Sequence, residues 1–168
     1  MGLIRCSSTD QEIVRRRTPS LGSCLDPAEA GCHRSLCLVG LRWKGGEKAD
    51  LSRAQLQGLS LWSVDLREAD LSYANLQGAD LDHARLRGAN LQHAKMEGAS
   101  LWQANLRDAN LSYAGLRRAK LDHADLSGAN LHNADLIGAS LWGAQLSRAR
   151  FENAIGITDE QLKNAHLA

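Results

Sequence analysis

Residues 61–100 read LWSVDLREADLSYANLQGADLDHARLRGANLQHAKMEGAS, and residues 101–140 read LWQANLRDANLSYAGLRRAKLDHADLSGANLHNADLIGAS. Two periods are superimposed in these lines. The shorter is five: a large apolar residue recurs at every fifth position from Leu51 to Phe151, through 21 consecutive pentads spanning residues 49–153. That central residue is Leu in 19 pentads, Met96 in one and Phe151 in one, and the residue two before it is Ala in 19, with Leu59 and Val64 as the exceptions. A fixed internal period decides the architecture before any other signal is read.

Five residues fit neither regular element. On an α-helix they turn through about 500°, so successive Leu side chains would step by about 140° and scatter around the axis. On a flat strand the odd spacing would send alternate Leu residues to opposite faces. The pattern is consistent only if the chain bends once per pentad. Ala and Leu, two apart, then share the inner face, and the other three residues face out and form the corner. Gly stands two places after the central residue at 58, 78, 88, 98, 128, 138 and 143, where a corner needs a backbone open to positive φ. The longer period fixes the number of sides. The 40-residue register between the two lines is eight pentads, read here as two turns of a four-sided coil of 20, although 40 also divides into other coil sizes.

Runs such as ADLSYANLQGADL (69–81) and ANLHNADLIGASL (129–141) resemble the pentapeptide-repeat family, whose pattern is A(D/N)LXX. The resemblance covers about five coils and most of the chain. It implies an all-β solenoid: a right-handed quadrilateral β-helix of about five coils, closed by a short C-terminal capping helix. Coils should stack at about 4.8 Å, the spacing of hydrogen-bonded strands, giving a rod about 25 Å long whose open ends need caps. The fold is reused for many roles, so it implies no single function.

The ends differ from the middle. Thr158-Asp159-Glu160-Gln161 reads as a capping box, with Ile157 and Leu162 at the staple positions. The spacing predicts a helix over about 159–167 within a C-terminal cap, 154–168, that closes the last coil with Leu162 and Leu167; some relatives associate as two copies through this end. Residues 1–48 hold all four Cys, both Pro and the run Arg15-Arg16-Arg17, and carry no pentad. Residues 1–35 are expected to be irregular or mobile, and the apolar stretch within 36–48 to form a strand capping the first coil. Cys24, Cys32, His33 and Cys37 are the one candidate metal cluster, but C-x7-C-H-x3-C fits zinc-ligand spacing poorly. No metal or cofactor is expected.

The chain has a net charge of +1. Residues 49–153 carry eleven Lys/Arg against twelve Asp/Glu, a near-neutral mixture without the basic stripe that nucleic acid requires. There is no apolar h-region and no apolar run long enough to span a bilayer. The expected setting is the cytoplasm, with no membrane contact, no direct nucleic-acid contact and no disulfides.

Three outer rows are candidate surfaces. The first is Trp62, Asp82, Trp102, Asp122 and Trp142, flanked by Ser63, His83, Gln103, His123 and Gly143. Exposed aromatic rows usually mark contact, and Trp is enriched at interface hot spots, so this row is the expected partner-binding face; the other reading is that each indole lies flat over adjacent coils and covers the wall. On the opposite side Tyr73, His93, Tyr113, Asn133 and Asn153 read as wall packing. A third side carries Arg67, Arg87 and Arg107, a secondary surface for an acidic partner, with Glu68 and Asp108 placed to compensate; Asn90, Asn110 and Asn130 are read on the same side as a structural amide ladder. No nucleophile with a fixed base, phosphate loop or carboxylate pair is present, so no catalytic residue is named. The expected function is a non-enzymatic interaction scaffold that binds another protein through an outer face. The alternative, drawn from the family, is a gyrase-type topoisomerase-binding protection protein of the DNA-mimic kind. Those relatives are strongly acidic, often with Phe at central positions; this coil is near neutral and has Phe only at 151.

Overall fold

The structure, a computed structural model, describes residues 49–164. The expected segments 1–35 and 36–48, the Cys24/Cys32/His33/Cys37 cluster and Leu167 lie outside the described residues. Within them, 18 parallel β-bridges run from Asp50↔Asp70 to Asp135↔Ile155, and each joins residue i to residue i + 20. Four pentads therefore complete one coil, which settles the choice of coil size that the 40-residue register left open. Each side contributes a single bridge residue between turns rather than a continuous strand.

The core follows from the pentad. The central Leu and Met side chains from Leu51 to Leu146 and the Ala side chains from Ala69 to Ala144 form one buried column. Where Ala is replaced, Leu59 and Val64 fill the same inward positions near the first coil. Each central Leu removed from water contributes roughly 1.5–3 kcal/mol of transfer free energy, most of which chain entropy offsets. Only two of the three outer columns face solvent freely. The residue before each central Leu is half-buried along most of the stack, because it is the bridge residue.

Every pentad closes its corner the same way. The turn is closed by a bond from the next pentad's first N–H to the central carbonyl, as in Ala74 N to Leu71 O at 3.0 Å. The second turn residue has φ between 53° and 72° in all 21 pentads, seven of them Gly and 14 not, the signature of a type II turn. Three further N–H groups per pentad bond between coils: Asn90 N to Ala69 O at 2.9 Å, Leu71 N to Asn90 O at 2.7 Å and Tyr73 N to Gln92 O at 2.9 Å. One N–H, that of the first turn residue, has no backbone carbonyl to reach. The side chain two residues earlier takes it. All eleven Asp and Asn residues at the bridge position accept this bond, as in Ser72 N to Asp70 Oδ1 at 2.9 Å and Asp82 N to Asp80 Oδ1 at 3.1 Å. This Asx turn is the physical reason for Asp or Asn between Ala and Leu.

The C-terminal capping box forms as read. Gln161 N donates to Thr158 Oγ1 at 3.2 Å, and Thr158 N donates back to Gln161 Oε1 at 2.8 Å. It opens a helix, α1, over Asp159–Asn164; residues 165–167 of the expected helix lie outside the described residues. Ile157 and Leu162 pack on the core, and Gln161 Nε2 reaches the carbonyl of Ala139, binding the helix to the last coil. The chain enters this cap through Gly156, at φ +85°, lying against the backbone of Leu136 and Ile137; a Cβ there would sit 2.3 Å from Ile137 N.

Two glycine substitutions separate backbone strain from collision. Gly78→Ala meets only the positive φ of its corner, since no atom lies within 4 Å of the added carbon, and should cost about 1–2 kcal/mol. Gly156→Ala adds a clash with backbone that cannot yield and should cost more than about 2 kcal/mol, read as a lower urea midpoint.

Candidate partner-binding corner

Trp62, Trp102 and Trp142 occupy the first turn residue of the same corner on alternate coils. They are 56%, 40% and 61% exposed; Tyr73, Tyr113, Ile137 and Ile155 are the other large apolar side chains exposed among the described residues. The indoles stand outward rather than lying under neighbouring loops. His83 fills the rung between the first two, edge-on to Trp62 at 5.7 Å and to Trp102 at 4.9 Å between ring centroids. His123 meets Trp142 at 4.6 Å, again edge-on.

Asp82 and Asp122, which the sequence places in the same row, are half-buried and serve the wall. Their role follows from the corner rule. At positions 100 and 140 the bridge residue is Ser, too short to supply the acceptor that Asp or Asn gives elsewhere. Asp82 supplies it from the coil before: its Oδ1 accepts from Trp102 N at 2.9 Å and from Ser100 Oγ at 2.6 Å. Asp122 repeats this with Trp142 N at 3.0 Å and with Ser140 Oγ. Each Asp thus fixes the backbone that carries the next Trp. The signal was present in the sequence as Ser at 100 and 140 with Asp 18 residues earlier, but it is read only once the 20-residue coil is known.

On the opposite side the aromatic residues share one column on successive coils. Tyr73 and His93 stack at 4.7 Å with planes 13° apart, and His93 and Tyr113 at 4.9 Å and 16°. The guanidinium of Arg53 lies 5.8 Å from the Tyr73 ring, and His132 meets Tyr113 edge-on. Adjacent rungs at strand spacing let these rings cover one another. Trp recurs only every second coil, so the indoles do not stack on one another; His83 and His123 meet them edge-on instead. Asn133 and Asn153 continue the Tyr73 column at positive φ. The amide ladder also belongs to this side, not to the Arg67 side: Asn90, Asn110 and Asn130 sit in the pentads of His93, Tyr113 and Asn133. Their Nδ2 groups donate down the column to Asp70, Asn90 and Asn110 at 3.1–3.4 Å.

The Arg67, Arg87 and Arg107 row is paired along its length. Arg67 forks onto Asp65, Nε to Oδ1 and Nη2 to Oδ2 both at 2.8 Å, a partner two residues back that the column reading did not name. Arg87 meets Asp108 at 3.6 Å, as expected, and Arg107 meets Asp125 at 3.5 Å. The hydrogen bond from Arg67 holds the Asp65 carboxyl below its ordinary value of 3.8, against a smaller opposing effect of partial burial. Among the described residues no three His, Cys, Asp or Glu side chains converge as metal ligands, and no helix is long and apolar enough to cross a membrane.

The model of the family described as pentapeptide repeats matches residues 49–88, 84–121 and 115–153, in eight copies. The chain belongs to the pentapeptide-repeat family. Its fold is the family's right-handed quadrilateral β-helix. Among solved structures, it is similar to HetL, a pentapeptide-repeat protein involved in heterocyst differentiation regulation in Nostoc sp. strain PCC 7120, at 35% identity over 71% of this chain and 70% of that one, with a TM-score of 0.44. Rfr23 from Cyanothece 51142 is 30% identical over 74% of this chain and 68% of its own, with a TM-score of 0.43. QnrB1, a plasmid-mediated fluoroquinolone resistance protein, is 24% identical over 70% of this chain and 62% of its own, with a TM-score of 0.37. At these TM-scores the superpositions carry no argument; the bridge register and the family match do. No functionally curated protein is similar enough to this chain to count as a relative.

Two substitutions test the geometry. Asp82→Ala strands the Trp102 N–H and should cost about 1–2 kcal/mol, with faster hydrogen exchange at that amide. Asp65→Asn keeps the corner acceptor and removes the charge. A carboxyl depressed in the folded state stabilises the fold above about pH 3.8, and that contribution is lost as pH falls through the lower folded value. The variant should therefore be slightly less stable than wild type at pH 7, by under about 1 kcal/mol for so exposed a pair, and the gap should close toward pH 2 in urea titrations.

Proposed function

We propose that this protein is a non-enzymatic interaction scaffold that binds another protein through the Trp62, Trp102 and Trp142 corner of its β-helix. One observation carries the reading: three large indoles stand exposed in register on alternate coils, and Asp82 and Asp122 hold the backbone beneath two of them. An aromatic row costs solubility when left bare, and a rigid one loses little entropy on contact. The repeating wall favours recognition over chemistry, because near-identical coils present a shallow surface instead of an asymmetric cleft. The partner is a protein met in the cytoplasm, without direct contact to nucleic acid or membrane.

The topoisomerase-protection alternative draws less support. A DNA-like surface needs dense uncompensated negative charge, whereas residues 49–153 balance eleven cations against twelve anions and pair Arg67, Arg87 and Arg107 with carboxylates. That pairing also leaves the arginine row as a secondary surface.

The test is a quantitative pull-down from source-cell lysate, wild type beside the Trp62/Trp102/Trp142→Ala triple variant, with both shown by circular dichroism to be folded. The expected result is a prey retained by wild type and reduced at least about tenfold by the variant. A prey that proved to be a topoisomerase would favour the alternative, and identical prey lists would remove the Trp corner from the function.

A further inference from the structure

We infer that the occupant of the Trp corner is a polyproline II segment of the partner, lying along the rod axis and carrying basic residues. The inference rests on the scaffold reading above and names the chemistry of what that scaffold holds.

The argument is one of matched periods. Coils joined by parallel bridges repeat at about 4.8 Å, so side chains on alternate coils repeat at about 9.6 Å. A polyproline II helix has three residues per turn and a rise of about 3.1 Å, so equivalent side chains recur every 9.3 Å or so. Across the two intervals from Trp62 to Trp142 the accumulated mismatch is about 0.6 Å. An α-helix offers its nearest comparable repeat at seven residues, about 10.5 Å, and drifts about 2 Å over the same two intervals. An extended strand presents one face every 6.8 Å or so and falls out of register at once. Among regular backbones, only polyproline II keeps pace with the three indoles.

The chemistry agrees with the period. Proline rings pack on open aromatic faces, and an indole N–H can donate to the solvated carbonyls of a polyproline backbone. The preformed helix also loses little entropy on docking. The three indoles stay 40–61% exposed and meet only the rings of His83 and His123, edge-on, whereas the Tyr73–His93–Tyr113 rings are already stacked face to face on each other. Charge completes the match. The five pentads of this side, 59–63, 79–83, 99–103, 119–123 and 139–143, carry Asp80, Asp82 and Asp122 against Lys120 alone. Among the described residues none of these three carboxylates has a cationic partner; their bonds are to hydroxyl and backbone N–H groups. A segment with Lys or Arg beside its prolines is complementary to that excess.

The probe is a set of synthetic oligoproline peptides with an Arg at each end, titrated into the full chain while the indole N–H resonances are followed by NMR. Single Trp→Ala variants assign them. Saturable shifts of the Trp62, Trp102 and Trp142 resonances are expected. Affinity should rise as the proline run grows from three residues to about seven, the length that reaches all three rings, and then level off. Trp102→Ala should weaken binding at least about tenfold. Exchanging the terminal Arg for Glu should weaken it further, by a factor that shrinks with added salt. Equal binding of a Gly/Ser peptide with the same termini, affinity independent of proline length, or no indole shift at millimolar peptide would each overturn the assignment. The peptide is also used to challenge the prey of the pull-down. A Trp-dependent prey that saturating oligoproline fails to displace overturns the polyproline assignment and leaves the scaffold reading standing.

Discussion

A chain that turns a corner every five residues leaves one N–H per corner out of reach of any carbonyl, and the rest of this molecule depends on how that donor is met. Burying or stranding it would cost roughly 1–3 kcal/mol each time, over 21 corners. At eleven of them Asp or Asn between Ala and Leu answers it locally, and the answer is compatible with stacking because the same residue keeps its own N–H and C=O for the bridges; at the other ten the bridge residue is Ser, Gln, Arg, Lys or Gly. With the corners closed, Leu and Ala can do nothing but point inward. The core is thus a consequence of the turn as much as its cause.

Two of the corners without Asp or Asn borrow an acceptor from another coil. Ser100 and Ser140 do not accept from the first turn N–H of their corners, so Asp82 and Asp122 do it from a coil away, and the residues they hold are Trp102 and Trp142. The same carboxylates carry the negative charge of that side. A structural duty and a surface property are therefore joined in one side chain, which explains how a row of exposed indoles is held in register on a thin wall. The opposite corner solves its exposure differently, by stacking Tyr73, His93 and Tyr113 at the spacing of the coils themselves.

Much of this was legible before any coordinates, because it is written in residues close together in the chain. The inward column and the capping box of Thr158 and Gln161 follow from short spacings, whereas the four sides rest on the 20-residue bridge register and the outward stance of the Trp row on side-chain direction. What escaped reading depends on partners a coil apart or on the direction a flexible side chain takes. Asp82 looked like part of an outer face until Trp102 was seen to donate to it. The fork of Arg67 onto Asp65 rather than a neighbour in its column is a choice of rotamer, on which spacing is silent. The Asn90 ladder lies one pentad beyond the Arg87 row, a distinction that only the bridge register from Asp70 to Asn130 makes plain.

The fixed offset of 20 residues between bridge partners also governs which changes in length the gene can tolerate. Loss or gain of a single pentad would leave the inward column intact, and the protein could still coil, but every outer row beyond that point would step round to the next side. A deletion of four pentads would restore the sides yet bring two Trp rungs, or two Asp rungs, onto neighbouring coils, and where it removed Asp82 or Asp122 the Ser corner of the next coil would lose its acceptor. Only eight pentads at a time preserve both. Residues 61–100 and 101–140 match at 24 of 40 positions, which fits that arithmetic: the heritable module of this surface is two coils, although the folding module is one-eighth of that length.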